Sequence, residues 1–176
     1  MSRCSLLVAF VILVAPAAQA IESWVEHRDE GVVKQSLDYS CGAASLATML
    51  TYELGRSTSE QEVLELWLEN VQEAGGRDEG LLYQGLSYAE MNQVVERLGF
   101  AAGGVAIPLE LVPALKHPVI IYFEVFGQPH FSVLRSANSR GIELADPSWG
   151  IVFITYPELG LLLGDSTEIK ALWLSA

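Results

Sequence analysis

A run of small and apolar residues from position 41 to about 54 places the strongest constraint on how this 176-residue chain can fold. Three alanines allow close packing on most sides, and Gly55 is a residue type that commonly ends a helix, so the run predicts a buried central helix. Ser40 is a preferred N-cap residue, which predicts that Cys41 opens this helix. A thiol there lies beside unpaired backbone N–H groups and the positive end of the helix dipole, and both favour the nucleophilic thiolate.

The N-terminal segment has the pattern of a secretory signal peptide. Arg3 supplies a positive charge, residues 6–14 are continuously apolar, and residues 18–20 have the small-residue form of a cleavage site. The apolar run is shorter than the roughly 20 residues that span a bilayer, which favours a cleaved signal over an uncleaved anchor. We therefore expect a periplasmic protein, with residues 1–20 as signal peptide and residues 21–176 as one domain.

The charge of the chain limits the classes of partner. A formal net charge of −12 argues against nucleic acid and anionic lipid surfaces, because both are themselves densely negative. No integral membrane segment is expected after signal cleavage, so a polypeptide is the partner that the composition tolerates best. No cofactor is expected, and a metal site is disfavoured because one mature cysteine and three scattered histidines match no ligand spacing.

The cysteine content directs attention to Cys41. The chain has two cysteines, and Cys4 would leave with the signal peptide. Cys41 would then be the lone thiol of an exported protein, unable to form an intramolecular disulfide. Such a thiol suggests a function, but free cysteines are also often inert core residues, and the cysteine count alone does not decide between the two.

The order of the predicted elements indicates an α+β fold. Helices fill the first half of the chain, two of them marked by capping-box patterns that begin at Ser59 and Ser87. The second half alternates apolar, β-branched segments with turns, which predicts an antiparallel meander. The predicted strands cover residues 119–123, 130–134, 142–146, 151–154 and 171–174. We expect the N-terminal helices to pack on this C-terminal sheet.

A cysteine nucleophile needs a base, and His130 is the best placed of the histidines. His27 lies in a charged N-terminal arm and His117 precedes a proline in a loop, so surface positions are expected for both. His130 begins one predicted strand and Asp146 ends the next, and these positions are neighbours in an antiparallel pair. Taken singly, His130 would be a structural histidine and Asp146 a turn former, but a turn can also present the carboxylate to the histidine.

Packing of the sheet on the central helix would bring the thiol and the imidazole together. A thiolate–imidazolium pair would then form, with Asp146 holding the imidazole in the required tautomer. Gln35 lies six residues before Cys41, on a segment that must pass the start of the helix. Its amide can therefore be aimed at a developing oxyanion, together with the backbone N–H of Cys41. An ordinary surface amide is the alternative interpretation of Gln35.

Four short motifs resemble, in this order, those of cysteine peptidase family thirty-nine, the papain-like family typified by bacteriocin-processing peptidases. The motifs are VKQ (33–35), YSCGAA (39–44), PHFSVL (129–134) and ADPSWG (145–150). The resemblance implies a papain-like fold and a thiol endopeptidase activity. It also implies that Cys41 is the nucleophile and His130 the base. By the same resemblance, Asp146 orients the base and Gln35 is the oxyanion donor.

The sequence differs from the best-known members of that family, which are domains of ABC exporters that cut after a double-glycine leader in the cytosol. It carries no ATP-binding motif and begins with a signal peptide, so it is more similar to stand-alone exported members linked to functional-amyloid or surface-fibre secretion. The resemblance implies an exported polypeptide of such a system as substrate, with Gly-Gly or another small-residue site as the candidate cleavage sequence. A non-catalytic peptide-binding or secretion-accessory module is the alternative function, and acyl transfer is an alternative outcome of the same thiol chemistry.

Overall fold

The computed structural model describes residues 23–76 and 85–176, and the predicted signal peptide lies outside the described residues. Within them, helices pack on a six-stranded antiparallel sheet, so the predicted α+β fold is confirmed. In this part of the chain, none of the helices combines the length and the apolar character needed to cross a bilayer.

The described residues contain five α-helices, a π-helical segment and a 3-10 helix. In the described residues the α-helices are α1 (Trp24–Asp29), α2 (Cys41–Thr48), α3 (Glu60–Glu73), α4 (Tyr88–Arg97) and α5 (Tyr156–Leu163). α2 continues as a π-helical segment over Met49–Glu53, so the long helix predicted from residue 41 is confirmed with a widened last turn. A 3-10 helix covers Leu109–Ala114. Gly55 follows the π-helical segment with a φ of 72°, a conformation that is costly for residues with a Cβ atom.

The sheet contains the predicted meander and two further strands. The strands are β1 (Ala101–Pro108), β2 (Val119–Val125), β3 (Gln128–Ala137), β4 (Gly141–Asp146), β5 (Gly150–Thr155) and β6 (Glu168–Ser175). Their order across the sheet is β1-β6-β2-β3-β4-β5. β2 to β5 form the meander, whereas β6 does not extend it beyond β5. Instead, β6 lies at the opposite edge of the meander, where it pairs with β2 on one side and with β1 on the other.

β1 is absent from the strands that the sequence predicts. Its sequence, AAGGVAIP, consists largely of alanine and glycine, which have low β propensity. All eight of its residues nevertheless pair with β6, which lies far away in the chain. Pairing with a distant strand, and not local preference, therefore decides the conformation of this segment.

Both faces of the sheet are covered by apolar residues. On one face, α2, α3 and α4 share a core with the sheet that contains Leu46 and Ile120. On the other face, α5 and the 3-10 helix cover a second core that contains Ile121 and Leu159. Ile120 and Ile121 face opposite ways because side chains alternate along a strand. Every residue of α2 is buried, so packing fixes the position of its N-terminus.

Candidate active site

The start of α2 places a thiol beside free helical N–H groups. Cys41 opens the helix as predicted and is 6% exposed. Ser40 occupies the N-cap position, but its hydroxyl does not cap the helix. That hydroxyl donates to the Leu37 carbonyl at 2.8 Å and accepts from the Leu37 N–H at 3.2 Å. The N–H of Ala44 makes the first helical bond, to Ser40, so the N–H groups of Cys41 and Gly42 precede the hydrogen-bonded ladder and can bind an oxyanion.

His130 and Asp146 are in direct contact, as the strand order predicts. The Nε2 atom of His130 lies 2.8 Å from Oδ2 of Asp146. The side chains are 11% and 0% exposed. β3 and β4 are antiparallel, with Val133 opposite Ala145, which brings the start of one strand beside the end of the other. The structure thus brings together the two residues that the sequence selects as base and orienting group.

The carboxylate of Asp146 also organises the turn that follows it. Its Oδ1 atom accepts the backbone N–H groups of Ser148 at 2.8 Å and Trp149 at 3.0 Å. We call residues 146–149 the aspartate turn. The turn fixes one carboxylate oxygen, and this leaves the other directed at His130. Asp146 therefore makes the contacts of a turn former and also contacts His130, and its role as orienting group stays a prediction.

The surroundings of His130 favour the imidazolium form. Burial by itself lowers the pKa of His130, but hydrogen bonds and charges from Asp146 and Cys41 outweigh it and raise the pKa to about 9. Because Asp146 occupies Nε2, Nδ1 is the ring nitrogen left for the thiol. The rings of Phe123 and Trp149 lie 5.3 Å and 5.4 Å from the imidazole, centroid to centroid. The histidine thus carries a proton at neutral pH and can stabilise a thiolate.

Gln35 makes hydrogen bonds to the aspartate turn and to the loop that precedes α2. Its backbone N–H donates to the Pro147 carbonyl at 3.1 Å, and its Oε1 accepts the hydroxyl of Ser148 at 2.8 Å. Its Nε2 donates to the Leu37 carbonyl at 2.9 Å, the group that also accepts the Ser40 hydroxyl. One of its two amide hydrogens is therefore engaged by the loop before the helix. The role of Gln35 as oxyanion donor stays a prediction.

A cleft of about 440 Å³ opens onto Cys41. Its lining is Asp38, Tyr39, Cys41, Gly42, Gly85, Leu86, Gln128, Pro129 and Phe131. A Cβ atom at Gly42 would lie 2.6 Å from the Met91 methyl group and 3.3 Å from the Leu86 carbonyl. One at Gly85, where φ is 70°, would lie 2.6 Å from the Tyr39 carbonyl. Gly85 is thus required by close packing against backbone, whereas a Cβ atom at Gly42 would require the Met91 side chain to move.

One residue near the site is placed differently from what its charge suggests. Glu60 is a charged residue at the start of α3, but it is 8% exposed and accepts the backbone N–H of Ser36 at 2.9 Å. It thereby anchors the residue after Gln35. Helical spacing could have revealed this, because Glu60 shares a face with the buried Val63 and Trp67. Among the residues that the structure describes, no group of three or more metal-ligating side chains is found.

His130 is expected to make the free energy of unfolding depend on pH. Its pKa of about 9 lies above the ordinary value of 6.5, so the folded protein binds the proton more tightly than the unfolded chain. The stabilisation is fully present below the ordinary pKa and is lost as the pH rises through the raised pKa; it amounts to about 3 kcal/mol. Urea unfolding at about pH 6 and about pH 9.5 measures the difference. His130→Gln should remove this pH dependence, whereas His117→Gln, at an exposed position, should retain it. If the free energy of unfolding of His130→Gln falls between the two pH values as much as that of the wild type, the pH dependence does not come from His130.

A buried thiol at a helix start, beside a histidine that a carboxylate binds, is the arrangement of a papain-like cysteine peptidase. The sequence profile of the Peptidase C39 family matches residues 29–161. The chain belongs to this family, as its four motifs predict.

Solved peptidase domains share this fold. The peptidase domain of Streptococcus ComA, a bifunctional ABC transporter, superposes with a TM-score of 0.65 at 17% identity, over 82% of this chain and 96% of that domain. A double glycine motif protease from an AMS/PCAT transporter, solved with its leader peptide, gives a TM-score of 0.59 at 23% identity, over 81% of this chain and 89% of that chain. These similarities confirm the papain-like fold.

A curated relative is similar over most of this chain. The probable functional amyloid protease FapD of Pseudomonas aeruginosa is 35% identical over 130 residues, which cover 74% of this chain and 55% of that protein. The chain thus spans about half the length of the curated relatives with this name that it matches.

Proposed function

We propose that this protein is an exported thiol endopeptidase that cleaves a specific secreted polypeptide. Cys41 is the nucleophile, His130 the general acid and base, and Asp146 the residue that orients His130. The observation that carries this proposal is the 2.8 Å contact between His130 and Asp146, made by a histidine whose pKa is also raised by Cys41. A buried His130–Asp146 pair beside Cys41 favours a catalytic site over a non-catalytic module.

The reaction follows from the groups that meet there. The Cys41 thiolate attacks the scissile carbonyl carbon, and the resulting oxyanion is bound by the Cys41 N–H and by an amide hydrogen of Gln35. The His130 imidazolium gives its proton to the leaving amine as the C–N bond breaks, which leaves a thioester. His130 then takes a proton from water, which attacks the thioester; the acid product leaves and the thiolate–imidazolium pair is restored.

The substrate we propose is an exported, fibre-forming polypeptide that is cut beside small residues such as Gly-Gly. Three observations support it: the signal-peptide pattern of residues 1–20, a relative named as a functional amyloid protease, and a structural neighbour titled a double glycine motif protease. The cleft adds a physical reason. Gly42 and Gly85 line the cleft beside Cys41, and lining residues without side chains allow a substrate backbone with small residues to approach closely.

Proteomics of secreted proteins tests this function. Proteins exported by a strain that lacks this gene would be incubated with the purified protein, and new N-termini would be identified by mass spectrometry. We expect a small set of new termini next to small residues, and none when the protein is first treated with iodoacetamide. New termini that survive the treatment contradict a thiol mechanism. Cross-linked products would indicate acyl transfer, and no products at all would indicate an accessory module.

A further inference from the structure

The aspartate turn is hydrogen-bonded to the segment that precedes α2. The carbonyl of Pro147 accepts the backbone N–H of Gln35 at 3.1 Å. The hydroxyl of Ser148 donates to the Gln35 side chain at 2.8 Å. The main-chain oxygen of Ser148 accepts the ammonium group of Lys34 at 2.8 Å. Three consecutive contacts therefore fix the turn whose conformation sets the direction of the Asp146 carboxylate.

Lys34 extends this contact to the N-terminal helix. Its Nζ atom also lies 3.3 Å from Oδ1 of Asp29, the last residue of α1. Asp29 is held in turn by the guanidinium of Arg28, at 2.8 Å and 2.9 Å. The Lys34 side chain is 31% exposed and that of Asp29 is 22% exposed, so both groups are partly shielded from water. A single ammonium group thus joins α1 to the aspartate turn.

The end of α1 also packs directly against the residue after the turn. Gly150 has a φ of 83°, and a Cβ atom there would overlap the Asp29 carboxylate and lie 2.6 Å from the Arg28 carbonyl. The sequence of this segment predicts only a charged arm. In the structure it is a capped helix whose C-terminal end packs against Gly150.

We propose that Lys34 is a positioning residue: by binding Ser148 and Asp29 together, it holds the aspartate turn so that Asp146 remains aimed at His130. This inference rests on the proposed function, because the aim of Asp146 matters to catalysis only if Cys41 and His130 react. Through Asp29, α1 would then help to position the catalytic residues, although no residue of α1 lines the cleft.

The test compares Lys34→Met with Lys34→Arg in the full mature protein. Methionine keeps an aliphatic stem but donates no hydrogen bond, whereas arginine can donate to both partners. NMR titration of isotope-labelled histidine reports the midpoint of His130, and the pH profile of the iodoacetamide alkylation rate reports the same proton through the reactivity of the neighbouring thiol. We expect Lys34→Met to lower the midpoint by about one unit and to move the upper inflection of the alkylation profile down by the same amount. Lys34→Arg should leave both close to their wild-type values.

The readouts separate positioning from a general loss of stability. A general loss of stability would appear as a lower free energy of unfolding and a loss of helical circular dichroism, whereas loss of positioning lowers the His130 midpoint in a protein that keeps both. Lys116→Met is the matched control, because Lys116 is exposed and precedes the end of β2 that is remote from His130. Asp29→Asn should act in the same direction with a smaller effect, and the double variant should show less than the sum of the two effects.

Defined outcomes overturn the proposal. A folded Lys34→Met protein with an unchanged His130 midpoint and alkylation profile contradicts it. If Lys34→Met does not fold, Asp29→Asn decides by the same two readouts. Failure of the proposed function gives a different result from failure of the positioning role. In that case the wild-type protein produces no iodoacetamide-sensitive cleavage, independently of the effect of Lys34 on the His130 midpoint.

Discussion

Replacement of Cys41 with serine is expected to lower kcat/KM by about 10⁴-fold or more. The hydroxyl group has nearly the size of the thiol but is not ionised by an imidazole at neutral pH, so the thiolate–imidazolium pair cannot form. Folding should be little affected, because the substitution leaves the packing of α2 intact; the free energy of unfolding should change by about 1 kcal/mol at most. Cleavage kinetics on a substrate identified by mass spectrometry, together with urea unfolding, measure the two quantities.

Controls for this prediction are present in the chain itself. Cys4→Ser changes the other cysteine, which lies in the predicted signal peptide, and should leave the mature enzyme unchanged. Cys41→Ala should be as inactive as Cys41→Ser and should give no alkylation product. If Cys41→Ser retains more than about a tenth of the wild-type kcat/KM, the nucleophile is a different group.

Replacement of Asp146 with asparagine is expected to lower kcat/KM between about 10² and 10⁴-fold. The carboxylate accepts three hydrogen bonds, from His130, Ser148 and Trp149. An amide has one oxygen, and the two backbone N–H groups of the turn, which already share Oδ1, retain it. Its NH₂ group then faces Nε2 of His130, which favours the tautomer that carries the proton on Nδ1 and cannot accept one from the thiol. The imidazolium also loses the buried charge that stabilises it.

Two further measurements distinguish this effect from simple unfolding. The His130 midpoint should fall from about 9 toward the ordinary value of 6.5, because Asp146 contributes both a hydrogen bond and a charge to the raised pKa. The free energy of unfolding should fall by about 1–3 kcal/mol, which leaves the protein folded at room temperature. Asp165→Asn, at an exposed position, is the matched control. A folded Asp146→Asn protein with wild-type kinetics shows that the contact is structural.

The parts of the site that the sequence predicts are those that depend on local patterns. The start of α2 follows from a serine before a run of helix-forming residues, and the contact between His130 and Asp146 follows from two strands joined by a short turn. The family membership follows from four motifs and is confirmed. Each of these inferences depends on short patterns in the sequence: a residue before a helix, a turn between two strands, or a set of short motifs.

The parts that the sequence does not predict depend on partners far away in the chain. β1 pairs with β6 across 60 to 74 positions of the sequence, and its alanine and glycine residues do not favour a strand. The hydroxyl of Ser40 binds Leu37 and does not cap α2, because the preceding loop folds back onto it. Lys34 reaches Ser148 across 114 positions of the sequence, so no local pattern reveals its contact. Long-range geometry of this kind is the information that the fold adds.

The depth of the Cys41 thiol governs which oxidants can reach it. A disulfide with another molecule requires a second sulfur to come within about 2 Å of Sγ, and thiol exchange needs an accessible sulfur. Because Cys41 is only 6% exposed and lies in a cleft, a cysteine on the surface of another folded protein reaches its sulfur less readily than an extended chain does. In the oxidising compartment to which we propose this protein is exported, the burial of Cys41 therefore protects an unpaired thiol from disulfide formation with other folded proteins, while the cleft leaves it open to a substrate in an extended conformation.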